Sequence, residues 1–165
     1  MGSHKVVLWN SAGLRASTDS TAAKFSFFDN QFSNAKFSIA AFVETHHKDD
    51  QDFSAELNLF HMTHNIVHSA VFKETHSGVI LLISKTYDIV KTSDPIPGRL
   101  LNVHLREKEH ILSLSVFYGP QWGKLTNKEV AEKLEQFDGL HELTYTNMIL
   151  GDFNFVDYDI DKGKG

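Results

Sequence analysis

Three polar side chains in this 165-residue chain stand where short apolar runs end. Asn10 follows Val6-Val7-Leu8-Trp9, Glu44 follows Ile39-Ala40-Ala41-Phe42-Val43, and Asp152 follows Met148-Ile149-Leu150-Gly151. If those runs are neighbouring strands, their ends form one polar rim above an apolar sheet, where α/β folds commonly hold ligands. Two carboxylates brought together repel, so their pairing requires a shared proton or a cation. With no cysteine in the chain, a cation would rest on oxygen or imidazole, and hard oxygen donors select Mg²⁺ or Mn²⁺. A phosphoryl substrate follows from that chemistry. The same residues have a plainer reading, because strand-end Asp, Glu and Asn also serve as turn formers and solvated caps.

The adjacent imidazoles of His46 and His47 invite a zinc site. Neighbours along an extended chain point apart, which makes shared ligation of one ion awkward. His46 is placed on the rim, touching substrate or a group behind the ligands, with a surface-loop residue as the alternative. The histidines from His61 to His141 show no metal-ligand spacing and are read as structural.

Sixteen Lys and Arg against 21 Asp and Glu leave a formal charge of −5. That balance argues against a small module that binds nucleic acid by bulk charge alone, though local positive patches are compatible with it. A charged fraction of 22% beside 41% hydrophobic residues excludes disorder and fibrous structure. Without cysteine there is no disulfide framework, thiolate zinc site or cysteine nucleophile. The longest apolar runs, Ile39 to Val43 and Val79 to Ile83, are five residues each, far below the ~18 that a membrane span needs. Met1-Gly2-Ser3-His4 is read as an expression scar. Residues 5–165 are expected to form one domain, since a chain of this size buries roughly 70% of its unfolded surface.

These side chains need elements to position them. Lys5 to Trp9 reads as a strand broken by Ser11-Ala12-Gly13. From Asp19 to Phe32, Ala22, Phe25, Phe28 and Phe32 fall at helical spacing. Phe37 to Val43 reads as a strand buried on both faces, ending at Glu44. A short helix over Phe53 to Phe60 and strands over Asn65 to Val71, Val79 to Ser84 and Tyr87 to Lys91 are expected next. Leu100 to Leu105 and His110 to Tyr118 flank the charged turn Arg106-Glu107-Lys108-Glu109, as in a hairpin. Thr126-Asn127-Lys128-Glu129 is a capping box opening a helix whose apolar face is Val130, Leu134, Phe137 and Leu140. Asn147 to Leu150 reads as a last strand. Strands and helices alternate without a regular βαβ period, so an α/β sandwich of mixed sheets is expected.

Gly151-Asp152-Phe153-Asn154 after an apolar strand resembles the Gly-Asp-Phe-Asn block of the endonuclease/exonuclease/phosphatase superfamily. Three further blocks occur in that superfamily's order. Trp9-Asn10-Ser11-Ala12-Gly13-Leu14 resembles its first strand-end motif, Phe42-Val43-Glu44-Thr45-His46 its metal-ligand motif, and Phe117-Tyr118-Gly119-Pro120 its tyrosine motif. Gly98-Arg99-Leu100-Leu101 is similar to its Gly-Arg strand start. The Glu-Thr-His form and the tail from Phe155-Val156-Asp157 to Asp161-Lys162 most resemble apurinic-type endonuclease domains of LINE-type retrotransposons, where Arg more often stands at Lys162. Sphingomyelinase and inositol-phosphatase branches carry similar central blocks.

The resemblance implies a DNase I-like, four-layer α/β sandwich and Mg²⁺-dependent nicking of DNA, with Mn²⁺ as a substitute ion. It implies that Glu44 is the metal's carboxylate ligand, with Asn10 in the metal shell. Asp152 would orient or deprotonate the attacking water, Asn154 would hold that water or a phosphate oxygen, and Tyr118 would donate its hydroxyl to the phosphate. His46, Tyr118 and Lys162 would meet the substrate. A retroelement endonuclease would work in the nucleus. The superfamily pattern closes on a Ser-Asp-His block, whereas every histidine here precedes Asp152. The chain is therefore expected to be the N-terminal portion of such a domain, its C-terminal part missing and its activity impaired. Its exposed sheet edge would then be covered in a homodimer or swapped assembly. Two alternatives are an inactive DNA-binding or assembly module, and a phosphatase or other phosphodiesterase of the same superfamily.

Overall fold

The most apolar runs of the chain lie side by side. Ile39–Val43 (β2) and Val79–Ser84 (β4) pair antiparallel, and all of β2 and Val79 to Ile83 of β4 are buried. Such runs need apolar cover on both faces, and the rest of the fold supplies it. The computed structural model describes residues 5–14, 19–32, 37–47, 57–71, 77–120 and 147–154, with residues 126, 128, 132 and 135.

Val6–Asn10 (β1) pairs parallel with β2, and His64–Ser69 (β3) pairs antiparallel with β4, giving a first sheet of order β1-β2-β4-β3. A second sheet has the order β5 (Asp88–Ile96), β6 (Leu100–Glu107), β7 (His110–Tyr118) and β8 (Met148–Asp152). Its first three strands run antiparallel, and β7 and β8 run parallel. Alternate residues of the two sheets face each other in one core: Ala41, Val43, Leu81 and Ile83 on one side, Val103, Leu105, Leu114 and Val116 on the other. The opposite face of the first sheet presents Ala40, Phe42, Ile80 and Leu82 to the helical layer.

That layer holds α1 (Asp19–Phe32) and the single turn α2 (Asn58–His61). Phe25 and Phe28, one turn apart, are buried from α1. Phe28 stacks on Trp9 with centroids 5.6 Å apart and meets Phe42 at 4.6 Å. The side chains of Ala22 and Phe32 lie outside the description. Among the described residues, helix, sheet and sheet make three layers of an α/β sandwich. Lys128, Glu132 and Glu135 are helical and exposed, with Lys128 and Glu132 3.8 Å apart at i, i+4 spacing. The apolar face expected for that helix, Val130, Leu134, Phe137 and Leu140, lies outside the described residues.

Element bounds depart from the sequence pattern in places. β5 runs to Ile96, beyond the expected Lys91, because its polar half is held by backbone pairing to β6 through two register shifts. As an edge strand it tolerates Pro95. β6 continues through Arg106 and Glu107, so the hairpin turn shrinks to Lys108-Glu109, with Lys108 at φ 56°. β3 ends at Ser69 rather than Val71, and of the helix expected over Phe53 to Phe60, residues 53–56 lie outside the description.

The parallel joins matter most for function. Asn10 lies opposite Val43, one residue before Glu44, and Tyr118 lies opposite Asp152. Two glycines let β7 and β8 close at this end: a Cβ on Gly119 would overlap the Phe153 carbonyl, and one on Gly151 the Phe117 carbonyl. Gly119→Ala and Gly151→Ala are each expected to lower stability by about 1–3 kcal/mol through overpacking against backbone. Denaturant unfolding checks this, and unchanged midpoints would contradict the close approach.

Candidate functional site

The amide of Asn10 joins the two sheets. Its Nδ2 donates to Glu44 Oε2 at 2.9 Å and to Asp152 Oδ2 at 2.8 Å. One carboxylate comes from the end of β2 and the other from β8, so residues 34 and 142 positions from Asn10 meet on one nitrogen. The Asn10 Oδ1 turns back to accept from the Ala12 N–H at 3.0 Å, which fixes which way the amide faces.

The loop after β1 is laid along the loop after β2. Ser11 N–H donates to Val43 O at 3.0 Å and Gly13 N–H to Glu44 O at 2.7 Å, while Leu14 N–H donates to Thr45 O. Lys24 of α1 closes this loop from outside, its Nζ donating to the carbonyls of Ala12 and Gly13 at 2.9 and 2.8 Å. No spacing in the sequence marks Lys24. Ala12, Glu44, His46 and Asn154 all sit at positive φ, between 47° and 55°. Backbone strain of this kind costs on the order of 1–3 kcal/mol per residue and gathers where function requires it; here it gathers on the rim.

The second sheet contributes Tyr118, Asp152 and Asn154. Gly119 N–H donates to Asp152 O at 2.7 Å. Asn154 N–H donates to Asp152 Oδ1 at 3.0 Å, and Asn154 Nδ2 donates to Gly119 O at 2.7 Å. Both Asp152 oxygens are thereby held. The buried Tyr118 hydroxyl is pushed up to about 12, mainly by burial, then by the Glu44 charge and its hydrogen bond to Glu44. The Arg99 cation and a bond from Asn154 oppose that shift. Tyr118 is therefore a neutral hydroxyl donor across the physiological range. The Arg99 guanidinium lies 4.8 Å from the Tyr118 ring centroid.

His46 and His47 point apart. His46 Nε2 lies 3.5 Å from Glu44 Oε1 on the rim. His47 is buried, its Nδ1 2.5 Å from Thr45 Oγ1 and its Nε2 3.3 Å from His68 Nδ1. Burial, and then the neighbouring His68, lower the His47 pKa to about 4. Lys162 lies outside the described residues.

Asn10, Asp152 and Asn154 line the polar side of an open cleft of about 550 Å³ walled by Leu8, Val43 and Phe153. Among the described residues no Lys or Arg forms an ion pair with Glu44 or Asp152. Nor do three or more His, Asp or Glu side chains gather into a metal cluster among them. The Glu44 and Asp152 carboxylates, brought together on the Asn10 nitrogen, are hard oxygen donors of the kind a Mg²⁺-type ion takes.

No protein-family model matches the sequence, and no curated protein matches it. Solved structures do. A D. rerio TDP2 complexed with single strand DNA product superposes with TM-score 0.67 at 13% identity, over 93% of this chain and 62% of that one. An AP endonuclease from Archaeoglobus fulgidus gives TM-score 0.68 at 18% identity, over 98% and 62%. The endonuclease domain of TRAS1, a telomere-specific non-LTR retrotransposon, gives 0.58 at 13%, over 93% and 60%. The chain shares their DNase I-like fold. It spans about 60% of each of those chains and 48% of a Caenorhabditis elegans TDP2.

The buried His47 sets a pH dependence. Its folded pKa of about 4 lies below the ordinary 6.5, so the unfolded chain takes up the proton first as pH falls. The stability contributed by neutral His47 is present above pH 6.5 and is lost as pH falls towards about 4. Unfolding free energies across that window are expected to fall more steeply in the wild type than in His47→Gln, and parallel curves would contradict this assignment.

Proposed function

We propose that this chain carries the catalytic rim of a divalent-metal-dependent phosphodiesterase that nicks DNA, as in a retroelement endonuclease domain. The observation that carries the reading is the single Asn10 amide holding Glu44 and Asp152, one carboxylate from each sheet. The likeness to an AP endonuclease, a retrotransposon endonuclease domain and a DNA-bound TDP2 supports DNA as the substrate.

Glu44 supplies the carboxylate for Mg²⁺, or for Mn²⁺ in its place. Asn10 supports the metal shell by holding the two carboxylates through its Nδ2, while its oxygen accepts from the Ala12 N–H. Bound there, the cation would supply positive charge to a phosphate gaining negative charge in the transition state. Asp152, fixed by the Asn10 amide and the Asn154 N–H, is placed to orient a water and take its proton. Tyr118 donates its neutral hydroxyl to a phosphate oxygen, exchanging its bond to Glu44 for one to substrate. Asn154 steadies that hydroxyl and the Gly119 carbonyl beside it. His46 sits where it can touch substrate beside Glu44.

Nicking of supercoiled plasmid with Mg²⁺ tests the reading. Glu44→Ala and Asp152→Ala are each expected to lower the rate by about 100-fold or more, and Tyr118→Phe by about 10–100-fold. Equal rates in the wild type and the two carboxylate variants would remove those residues from the mechanism.

A further inference from the structure

We propose that Arg99 is a positioning residue for this reaction, clamping the Tyr118 ring and the peptide after it so that the hydroxyl meets the phosphate. The inference rests on the phosphodiesterase reading. The Arg99 guanidinium does two things at once: it lies over the Tyr118 ring, 4.8 Å from the centroid, and its NH1 donates to Gly119 O at 3.3 Å. Its backbone takes the third hold, because Tyr118 N–H donates to Arg99 O at 2.8 Å. Ring, amide and following carbonyl of the Tyr118 segment are thus all tied to one residue.

That residue is itself fixed. Ile96-Pro97-Gly98-Arg99 is a tight turn closed by Arg99 N–H donating to Ile96 O at 2.8 Å, with Gly98 at φ 69°, a conformation that favours glycine after proline. Gly98 N–H donates to Ser69 Oγ at 2.5 Å, and Gly98 O accepts from Gly78 N–H at 2.9 Å. The turn is therefore pinned to the first sheet while its arginine reaches the second. Gly119 O also accepts from Asn154 Nδ2, so the clamp extends to the residue that steadies the Tyr118 hydroxyl. A cation over an aromatic face contributes attraction without covering the hydroxyl. Lysine keeps the charge but loses the planar fork that spans ring and carbonyl together.

A double-mutant cycle on plasmid nicking tests this, with 19F NMR of fluorotyrosine placed at position 118 as a readout that needs no turnover. Arg99→Met is expected to lower kcat about tenfold or more with KM unchanged, Arg99→Lys to lose less, and Arg99→Met to cost nothing further in a Tyr118→Phe background. The 19F resonance is expected to move in Arg99→Met and to return most of the way in Arg99→Lys. Additive losses in the cycle, or an unmoved resonance, overturn the proposal. A moved resonance with no nicking even by the wild type keeps the clamp and overturns the phosphodiesterase reading, so the two failures are distinguishable.

Discussion

Two carboxylates cannot share a rim without something positive between them, and here the amide of Asn10 supplies the partial charge. Its two N–H bonds reach one acid on each sheet, so the side chain fixes both the spacing of the charges and the relative placement of the strand ends that carry them. An amide can stabilise such a pair only in part. Under the proposed reading, a divalent cation would complete the neutralisation that the amide begins.

The architecture around that amide follows from where apolar residues must go. β2 and β4 need cover on both faces, so one side takes the second sheet and the other takes the phenylalanines of α1. Parallel pairing of β1 with β2 and of β7 with β8 then brings four C-terminal strand ends to one edge. The edge is irregular backbone, held by Ser11, Lys24 and Arg99 rather than by the ladders. Packing makes the platform, and a small number of polar side chains aim it.

Much of this was legible in the chain. The α1 bounds, the doubly buried β2 and the strand-end positions of Asn10 and Glu44 follow from periodicity and from breaks in apolar runs. The strand-end position of Asp152 follows likewise from the apolar run Met148-Ile149-Leu150, whereas its place opposite Tyr118 in a parallel pair does not. Other features left no local trace. Positive φ at Ala12, Glu44, His46 and Asn154 is imposed by loop-to-loop bonding, and none of these residues announces it as glycine would. Lys24 looks like any polar helix residue until the β1 loop is laid beneath it. The polar half of β5 reads as loop because its pairing depends on backbone alone. His47 resembles its neighbour His46 in sequence, yet one is buried against Thr45 and the other faces Glu44.

Calorimetric titration with Mn²⁺ tests the convergence of Asn10, Glu44 and Asp152 most directly, because it requires no substrate. One saturable site is predicted in the wild type, lost in Glu44→Gln and weakened about tenfold or more in Asn10→Ala, whose truncation frees the carboxylates. Equal binding in all three proteins would contradict the account.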